Sequence, residues 1–361
     1  MHVNPDGSIG FFDKGDFETL VSLISKLIPP KNDFVNYDPS FLFSYYSDID
    51  NERLLYSRDR KLRAPYEIIF DYRNTTTDDW GRFKFKGGFE LSRQLAMVKD
   101  EMTKLFDKRK HLKKGNNPCP RVCNATITGN NLELEIQKAW YFDQVATNLT
   151  LDYKHKTEIS RFLGADTIRE WDLIQSNTSK RNLPAFSNSN LANTIGVAVG
   201  ITAKAKDGRQ IIVTRRRTST VAVYPNMLHL PFSFSLNFSE EFPLNYSDSI
   251  KNLLHPDFRD EQAEEMGLLP YQLQLSDVKP LLFCRDLGRG GKPQFFLEVE
   301  LKIPFEDLKN LIAEKAMYTT EKSTLVSPEY NKKVMGIAAN EPLKDGEKIS
   351  PELLAYIVAK S

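Results

Sequence analysis

The most constraining feature of this 361-residue chain is a set of three glutamates spaced for one face of a helix. Glu261, Glu264 and Glu265 lie three and four residues apart, and Gly267 follows them. In an α-helix these offsets place the three carboxylates on the same side. Like charges repel at this spacing unless a cation lies between them, and glycine is common just past a helix end. The stretch therefore predicts either a site for a divalent cation or a solvated acidic helix end.

Carboxylate chemistry indicates which metal such a site would select. Carboxylate oxygens are the hard ligands that Mg²⁺ and Mn²⁺ prefer, and Mg²⁺ held in this way commonly serves a substrate that carries phosphate. We therefore expect Mg²⁺ (or Mn²⁺) as the cofactor, bound by Glu261, Glu264 and Glu265.

The acidic stretch and the sequence before it resemble the Nudix hydrolase superfamily over residues 188–316. The family's signature helix reads Arg-Glu-apolar-x-Glu-Glu-x-Gly-apolar, and in the family the three glutamates hold the divalent cations that bridge a diphosphate. The matching positions here are Glu261, Glu264, Glu265, Gly267 and Leu268.

The sequence upstream of the helix agrees with this resemblance. Residues 193–199 are similar to the family's first strand, and Asp207-Gly208 to the turn that follows it. Residues 211–217 are similar to the next strand, which ends in basic residues. Residues 224–231 resemble the stretch that leads into the family's glycine turn.

The resemblance implies an α+β fold. We expect a Nudix-like α/β/α sandwich with a mixed sheet, preceded by a separate α+β N-terminal domain. The Ser-, Asn- and Pro-rich stretch 176–190 is typical of a boundary between domains. We therefore predict an N-terminal α+β domain of unknown role over residues 1–180, and a Nudix-like domain with a C-terminal helical extension over residues 188–361.

The same resemblance implies metal-assisted attack of water on the diphosphate of a nucleoside diphosphate linked to another moiety. It makes Glu264 and Glu265 the predicted catalytic residues, with Glu261 completing the metal set. For the substrate we predict Arg215, Arg217 and Glu298. Arginine donors suit phosphate, and the family often supplies a further carboxylate from beyond its helix. Ordinary exposed positions on strands, without any role in binding, would explain these three residues equally well.

Several positions depart from the family pattern. The signature arginine is replaced by Asp260, and the glycines of the turn before the helix by Phe232–Ser235. Asn252 stands where the family has a loop glutamate, within a segment longer than the family's loop, so that Glu240 or Glu241 would have to substitute. These departures leave a second function open, a catalytically impaired Nudix-like protein that binds or senses a nucleotide.

Composition limits the partners. Lys+Arg number 49 against 48 Asp+Glu, so no overall charge favours nucleic acid or an anionic membrane. No apolar stretch approaches the roughly 20 residues of a membrane span. Three cysteines, and an N-terminus without signal-peptide character, favour a reduced cytoplasmic protein. We expect a nucleotide-type small molecule as the partner, while the oligomeric state stays open.

Two further patterns have less specific interpretations. The stretch Gly288–Lys292 has the residue types of a phosphate loop without its spacing. We interpret it as a turn between predicted strands at Val278–Arg285 and Pro293–Ile303. His229 lies between Leu228 and Leu230, which favours buried packing over acid–base chemistry.

Overall fold

The computed structural model describes residues 2–3, 9–10, 34–75, 79–109, 115–179, 181–208, 210–217, 223–238, 241–266, 277–308, 334–338 and 348–360. For residues 2–3, 9–10, 74, 157, 260–266 and 334–338 it describes the backbone alone. None of the helices in these ranges combines the length and the apolar character needed to cross a membrane.

Strands and helices are both abundant, and the predicted α+β class is confirmed. The strands are β1 (His2–Val3), β2 (Ile9–Gly10), β3 (Leu54–Tyr56), β4 (Arg63–Asp71), β5 (Arg82–Gly88), β6 (Pro118–Thr128), β7 (Asn131–Trp140), β8 (Gly196–Lys204), β9 (Gln210–Arg216), β10 (Leu228–His229), β11 (Phe232–Ser235), β12 (Ser247–Ser249), β13 (Lys279–Asp286), β14 (Lys292–Glu300) and β15 (Val334–Ala338). The helices are α1 (Pro39–Tyr45), α2 (Arg93–Lys108), α3 (Tyr141–Val145), α4 (Thr157–Leu163), α5 (Ile168–Gln175), α6 (Ile250–Met266) and α7 (Pro351–Lys360).

The larger sheet is mixed and contains nine strands. Seven of them follow the order β10-β9-β8-β14-β13-β4-β3, while β11 pairs with β8 and β15 pairs with β9. Strand β14 runs parallel to β8. One side of β8 is shared between two neighbours, because residues 196–199 pair with β11 and residues 201–204 pair with β9. Beyond Val213, strand β9 therefore no longer pairs with β8.

Helices α6 and α7 cover opposite faces of this sheet. Alternate residues of β8 and β14 belong to two different apolar clusters, as the two-residue repeat of a strand requires. Val197 and Leu297 pack in the cluster that contains Phe258 of α6. Ala198 and Phe296 pack in the cluster that contains most of α7. The sheet thus lies between two helices.

A second sheet is built mainly from the N-terminal half of the chain. Its order is β12-β5-β7-β6, with β5 parallel to β7. Strands β6 and β7 form a hairpin around residues 128–131, where the turn residues Gly129 and Asn130 between two strand-like runs predict one. Strand β12 comes from the segment that is longer than the family's loop. Aromatic side chains of that segment, Phe242 and Tyr246, pack on Phe83 of β5 with ring centroids 5.6 and 6.0 Å away.

Strands from both sides of the predicted domain boundary share each sheet. Strands β3 and β4, which precede the boundary, pair at the edge of the larger sheet through β13. Strand β12, which follows the boundary, pairs with β5 in the second sheet. The division into residues 1–180 and 188–361 stays a prediction, and a cut between them would separate paired strands.

The contact between β8 and α7 provides a test of how α7 packs on the larger sheet. A Cβ built on Gly200 would overlap the ring of Tyr356 in α7. We expect Gly200→Ala to lower the free energy of unfolding by about 1–3 kcal/mol, the usual cost of overpacking a core, measured by urea denaturation.

The matched control is Gly88→Ala in β5, where an added Cβ meets no atom within 4 Å. This change should leave stability within about 0.5 kcal/mol. Combining Gly200→Ala with Tyr356→Leu should recover part of the loss, since the smaller side chain removes the overlap. Equal effects of the two glycine substitutions would contradict the packing of α7 on β8.

Candidate functional site

The acidic stretch predicted to bind metal lies in helix α6. Glu261, Glu264 and Glu265 fall within its backbone, which runs from Ile250 to Met266. The 3.6-residue repeat of a helix places these three positions on one side, so the predicted helix is confirmed. Their side chains, and the Gly267 and Leu268 of the signature, lie outside the described part of the structure. The metal-binding role stays a prediction.

Helix α6 is held against the larger sheet just before its acidic end. The buried ring of Phe258 packs edge-on against Phe232 of β11, with ring centroids 5.5 Å apart. Asp257 accepts hydrogen bonds from the backbone N and the Nδ2 of Asn237, at 2.7 and 2.9 Å. Glu261 follows one turn later. The acidic positions therefore begin directly beyond the anchored part of the helix.

The start of α6 differs from the family pattern. Helix begins at Ile250 and passes through Pro256, although proline removes a backbone donor inside a helix. Asn252, at the position of the family's loop glutamate, lies in the first turn and donates its Nδ2 to Asp248 at 3.0 Å. The expectation of a loop here was wrong at residues 250–257, because strand β12 ends directly where the helix starts.

The turn before the helix also has a different role from the family's glycine turn. Its residues form strand β11, which pairs with β8 from Phe232 to Ser235. Phe232 and Phe234 are buried in the core beneath α6. Buried phenylalanines thus stand at positions where the family pattern has glycines.

The structure gives no support for Glu240 or Glu241 as a replacement for the family's loop glutamate. Glu240 lies outside the described part of the structure. The Glu241 side chain is 90 % exposed, and its Oε1 lies 3.2 Å from Nζ of Lys138 in β7. Among the described side chains, no group of three or more His, Cys, Asp or Glu residues is placed to hold a metal ion.

Arg215 and Arg217 lie where β9 separates from β8. Arg215 pairs with His229 of β10, and the backbone N of Arg217 donates to Met227 O at 2.9 Å. Burial and the positive charge of Arg215 lower the pKa of Arg217 to about 10. Its Nε has no acceptor among the described residues. The two predicted substrate residues thus concentrate positive charge at one place.

Glu298 is placed on the other face of the sheet. In β14 it pairs with Gly200 of β8, on the face that α7 covers. Its Oε1 lies 2.5 Å from Nζ of Lys360, at the end of α7. The two-residue repeat of β14 is the reason, because Phe295 and Leu297 take the positions that face α6. The described structure does not bring Glu298 together with the arginines.

Sequence analysis missed a buried cluster of charges around Arg289. Arg289 lies in the turn between β13 and β14, and its side chain is 6 % exposed. Its Nε lies 2.6 Å from Oδ2 of Asp286, and its Nη2 lies 2.8 Å from Oε1 of Glu352. The hydroxyls of Tyr224 and Tyr66 donate to Asp286 at 3.3 and 3.5 Å. Burial holds the pKa of both tyrosines well above the usual range.

His229 joins this cluster through Glu352. Its Nε2 lies 3.0 Å from Oε2 of Glu352, and its Nδ1 lies 2.7 Å from Oγ of Ser350. Burial lowers the pKa of His229 to about 4, so the imidazole is neutral at pH 7. The neighbouring His229 and Arg289 hold the pKa of Glu352 below its usual range despite its burial. His229 is therefore a buried structural group, as the sequence pattern predicts.

One signal in the sequence points to this cluster. The charged residues Asp286, Arg289 and Lys292 lie in or beside the turn between two apolar stretches, 281–284 and 295–297, and buried charges are almost always paired. The partner Glu352 lies far along the chain. No spacing rule connects it to the turn, so the pairing becomes evident only in three dimensions.

Comparison with known proteins gives limited further information. No family model and no curated protein matches the chain. Solved structures with a partial likeness include DR0079 from Deinococcus radiodurans, at a TM-score of 0.26 and 15 % identity, over 46 % of this chain and 82 % of that one. They also include a Nudix hydrolase from M. smegmatis, RenU, at a TM-score of 0.22 and 11 % identity, over 46 % of this chain and 87 % of that one.

The buried imidazole of His229 makes stability depend on pH in a defined direction. Its folded pKa of about 4 lies below the ordinary value of 6.5, so the unfolded chain binds a proton first as the pH falls. The neutral imidazole therefore makes its full contribution to the free energy of unfolding above pH 6.5. That contribution is lost progressively as the pH falls from 6.5 to 4. We expect the slope of unfolding free energy in this window to fall by up to about 1.4 kcal/mol per pH unit in His229→Gln.

Urea denaturation across this range measures the slope, and the exposed His255 provides the matched control as His255→Gln. Glu352 contributes in the same direction but at lower pH, because its folded pKa is below its usual range. Identical slopes for wild type and His229→Gln would show that His229 is not held neutral in the folded protein.

Proposed function

We propose that this protein is a divalent-metal-dependent hydrolase of a nucleoside diphosphate linked to another moiety. The observation that carries the proposal is the continuous helix backbone of α6 through Glu261, Glu264 and Glu265. This helix follows a strand paired to the central sheet and packs on it through Phe258. That order of strand, helix and acidic face is the one that the resemblance to Nudix hydrolases implies.

The donor set suits Mg²⁺ or Mn²⁺. Three carboxylates supply hard oxygen ligands, and their mutual repulsion on one helix is relieved by a cation. We assign Glu261, Glu264 and Glu265 to the metal. When bound, the ion would neutralise charge on the diphosphate and increase the acidity of water.

The chain's own residues account for the remaining steps. We assign proton acceptance from the attacking water to Glu264 or Glu265. Attack at phosphorus forms a new P–O bond and breaks the bond to the bridging oxygen, which leaves with the other phosphate. Arg215 and Arg217 are suited to orienting the diphosphate, since arginine binds phosphate oxygens in a bidentate manner. A pKa of about 10 keeps Arg217 protonated at neutral pH.

Two observations favour a second candidate, a nucleotide sensor without turnover. Phe232 and Phe234 stand where the family pattern has glycines and are buried in the core, whereas glycine is the residue that lets a backbone approach phosphate closely. The family's arginine position is occupied by Asp260, which adds negative charge where a positive charge normally orients a glutamate. A protein altered in this way would retain ligand binding and lose hydrolysis.

A product assay tests the hydrolase. We expect purified protein with Mg²⁺ or Mn²⁺ to release nucleoside monophosphate from at least one of a panel of dinucleotides and nucleotide sugars, detected by chromatography. Glu264→Gln and Glu265→Gln should each lower kcat by about 100-fold or more, the scale of a lost general base. The matched control is Glu158→Gln, an exposed glutamate in α4, which should retain wild-type activity.

The same panel distinguishes the two candidates. A sensor would be stabilised against thermal unfolding by one of the nucleotides while releasing no product in either metal. Product release that is unaffected by chelation, or by both glutamate substitutions, would refute the assignment of Glu264 and Glu265.

A further inference from the structure

The turn at Gly288–Lys292 has a role that the proposed hydrolysis does not use. Gly290 and Gly291 have positive φ values of 65° and 86°, a conformation that suits glycine. A Cβ on Gly290 would press against the side chains of Leu151 and Leu191, and one on Gly291 against Arg285. The glycines therefore serve a tightly packed turn. This turn directs Arg289 and Lys292 into the protein interior.

Lys292 carries a buried amine that has no ion-pair partner in the described structure. It is 1 % exposed, and no described carboxylate lies within ion-pair distance of its Nζ. The nearby Asp286 and Glu352 are already paired with Arg289. Burial and the charge of Arg289 lower the pKa of Lys292 to about 7. Burying the ammonium form without a direct partner is costly, so a bound negative group would favour the protonated form.

A second unsatisfied donor lies beside this ammonium. Gln294 is 1 % exposed and lies two residues after Lys292 on the same face of β14. Its Oε1 accepts from Arg289 at 3.3 Å, whereas its Nε2 is buried and has no partner among the described residues. A buried donor without an acceptor is uncommon and costs stability.

Gly196 brings the two side chains together. It pairs with Gln294 across strands β8 and β14. A Cβ at this position would overlap Nζ of Lys292 and Oε1 of Gln294, so the ends of both side chains lie over the same glycine. The Lys292 amine is thus a neighbour of the carboxamide whose Nε2 has no partner among the described residues.

We propose that Lys292 and Gln294 form a binding site for a small oxyanion of the sulfate or phosphate type. An ammonium is a compact point charge that binds phosphate, and the amide adds a directed N–H donor. The groups that face Lys292 are Arg289, Glu352, Asp286 and the thiol of Cys119. Arg217 belongs to the same group of charges as Arg289, Asp286 and Glu352. With Lys292 protonated, three cations face two carboxylates, so the local balance favours an anion. The site does not depend on the metal or on hydrolysis.

Sulfate is the appropriate probe because it does not titrate near neutral pH. Calorimetry at pH 8, with EDTA and in buffers of different ionisation enthalpy, would measure both affinity and proton exchange. Binding should raise the pKa of Lys292 from about 7 and take up close to one proton per sulfate. Lys292→Met should weaken sulfate binding by about tenfold or more and abolish the uptake.

Two further variants keep the test independent of folding defects in Lys292→Met. Lys292→Arg should bind sulfate without proton uptake, because a guanidinium stays protonated. Lys206→Met, which removes an exposed lysine with a side chain 67 % exposed, should behave as wild type. Absence of sulfate binding beyond that of chloride at equal ionic strength would overturn the proposal. Equal affinity and proton uptake in wild type and Lys292→Met would also overturn it.

Titrations with ADP and with inorganic phosphate distinguish a nucleotide phosphate from a free oxyanion. ADP binding at least tenfold tighter than sulfate, with the same dependence on Lys292, would assign the site to the phosphate of a nucleotide. Sulfate and inorganic phosphate binding as tightly as ADP would assign it to a free oxyanion. Because no divalent cation is present, failure here leaves the metal-dependent product assay unaffected, and the two proposals are tested separately.

Discussion

Much of the buried architecture depends on the guanidinium of Arg289. It contacts Asp286 at the end of β13 and Glu352 in the first turn of α7, and its backbone carbonyl accepts from Nδ2 of Asn148. The end of β13, the start of α7 and the segment around Asn148 thus meet at this one residue. Burying such a pair contributes little net stability, whereas loss of one carboxylate leaves a buried charge uncompensated. We infer that the cluster mainly fixes where α7 begins on the sheet.

The shared side of β8 explains how the two sheets and α6 are connected. Strand β11 takes the first half of that side, and the chain then crosses to the second sheet as β12 before returning as α6. The segment that exceeds the family's loop is therefore a structural connection, held by Phe242 and Tyr246 against β5. It fixes α6 at both ends of its anchored part, which orients the acidic positions that follow.

Local patterns predicted the elements better than their partners. The hairpin β6–β7 and the strands β8, β9, β13 and β14 follow from apolar runs bounded by turn residues. The early start of α6 was missed because Pro256 is usually a boundary signal. The ion pair between Glu298 and Lys360 could not be predicted from the sequence either. Its face depends on the register of β14 with β8, and its partner Lys360 comes from the end of the chain.

The placement of Glu298 restricts any hydrolytic mechanism. Position 298 is aligned with Gly200 on the face covered by α7, while α6 packs on the opposite face through Phe258. The larger sheet therefore separates Glu298 from α6, and Lys360 already compensates the charge of Glu298. For the proposed hydrolysis we therefore expect the proton acceptor for water attack to come from α6 rather than from β14. The proposal then assigns both metal binding and base catalysis to Glu261, Glu264 and Glu265, and Glu264→Gln and Glu265→Gln are the substitutions that test it.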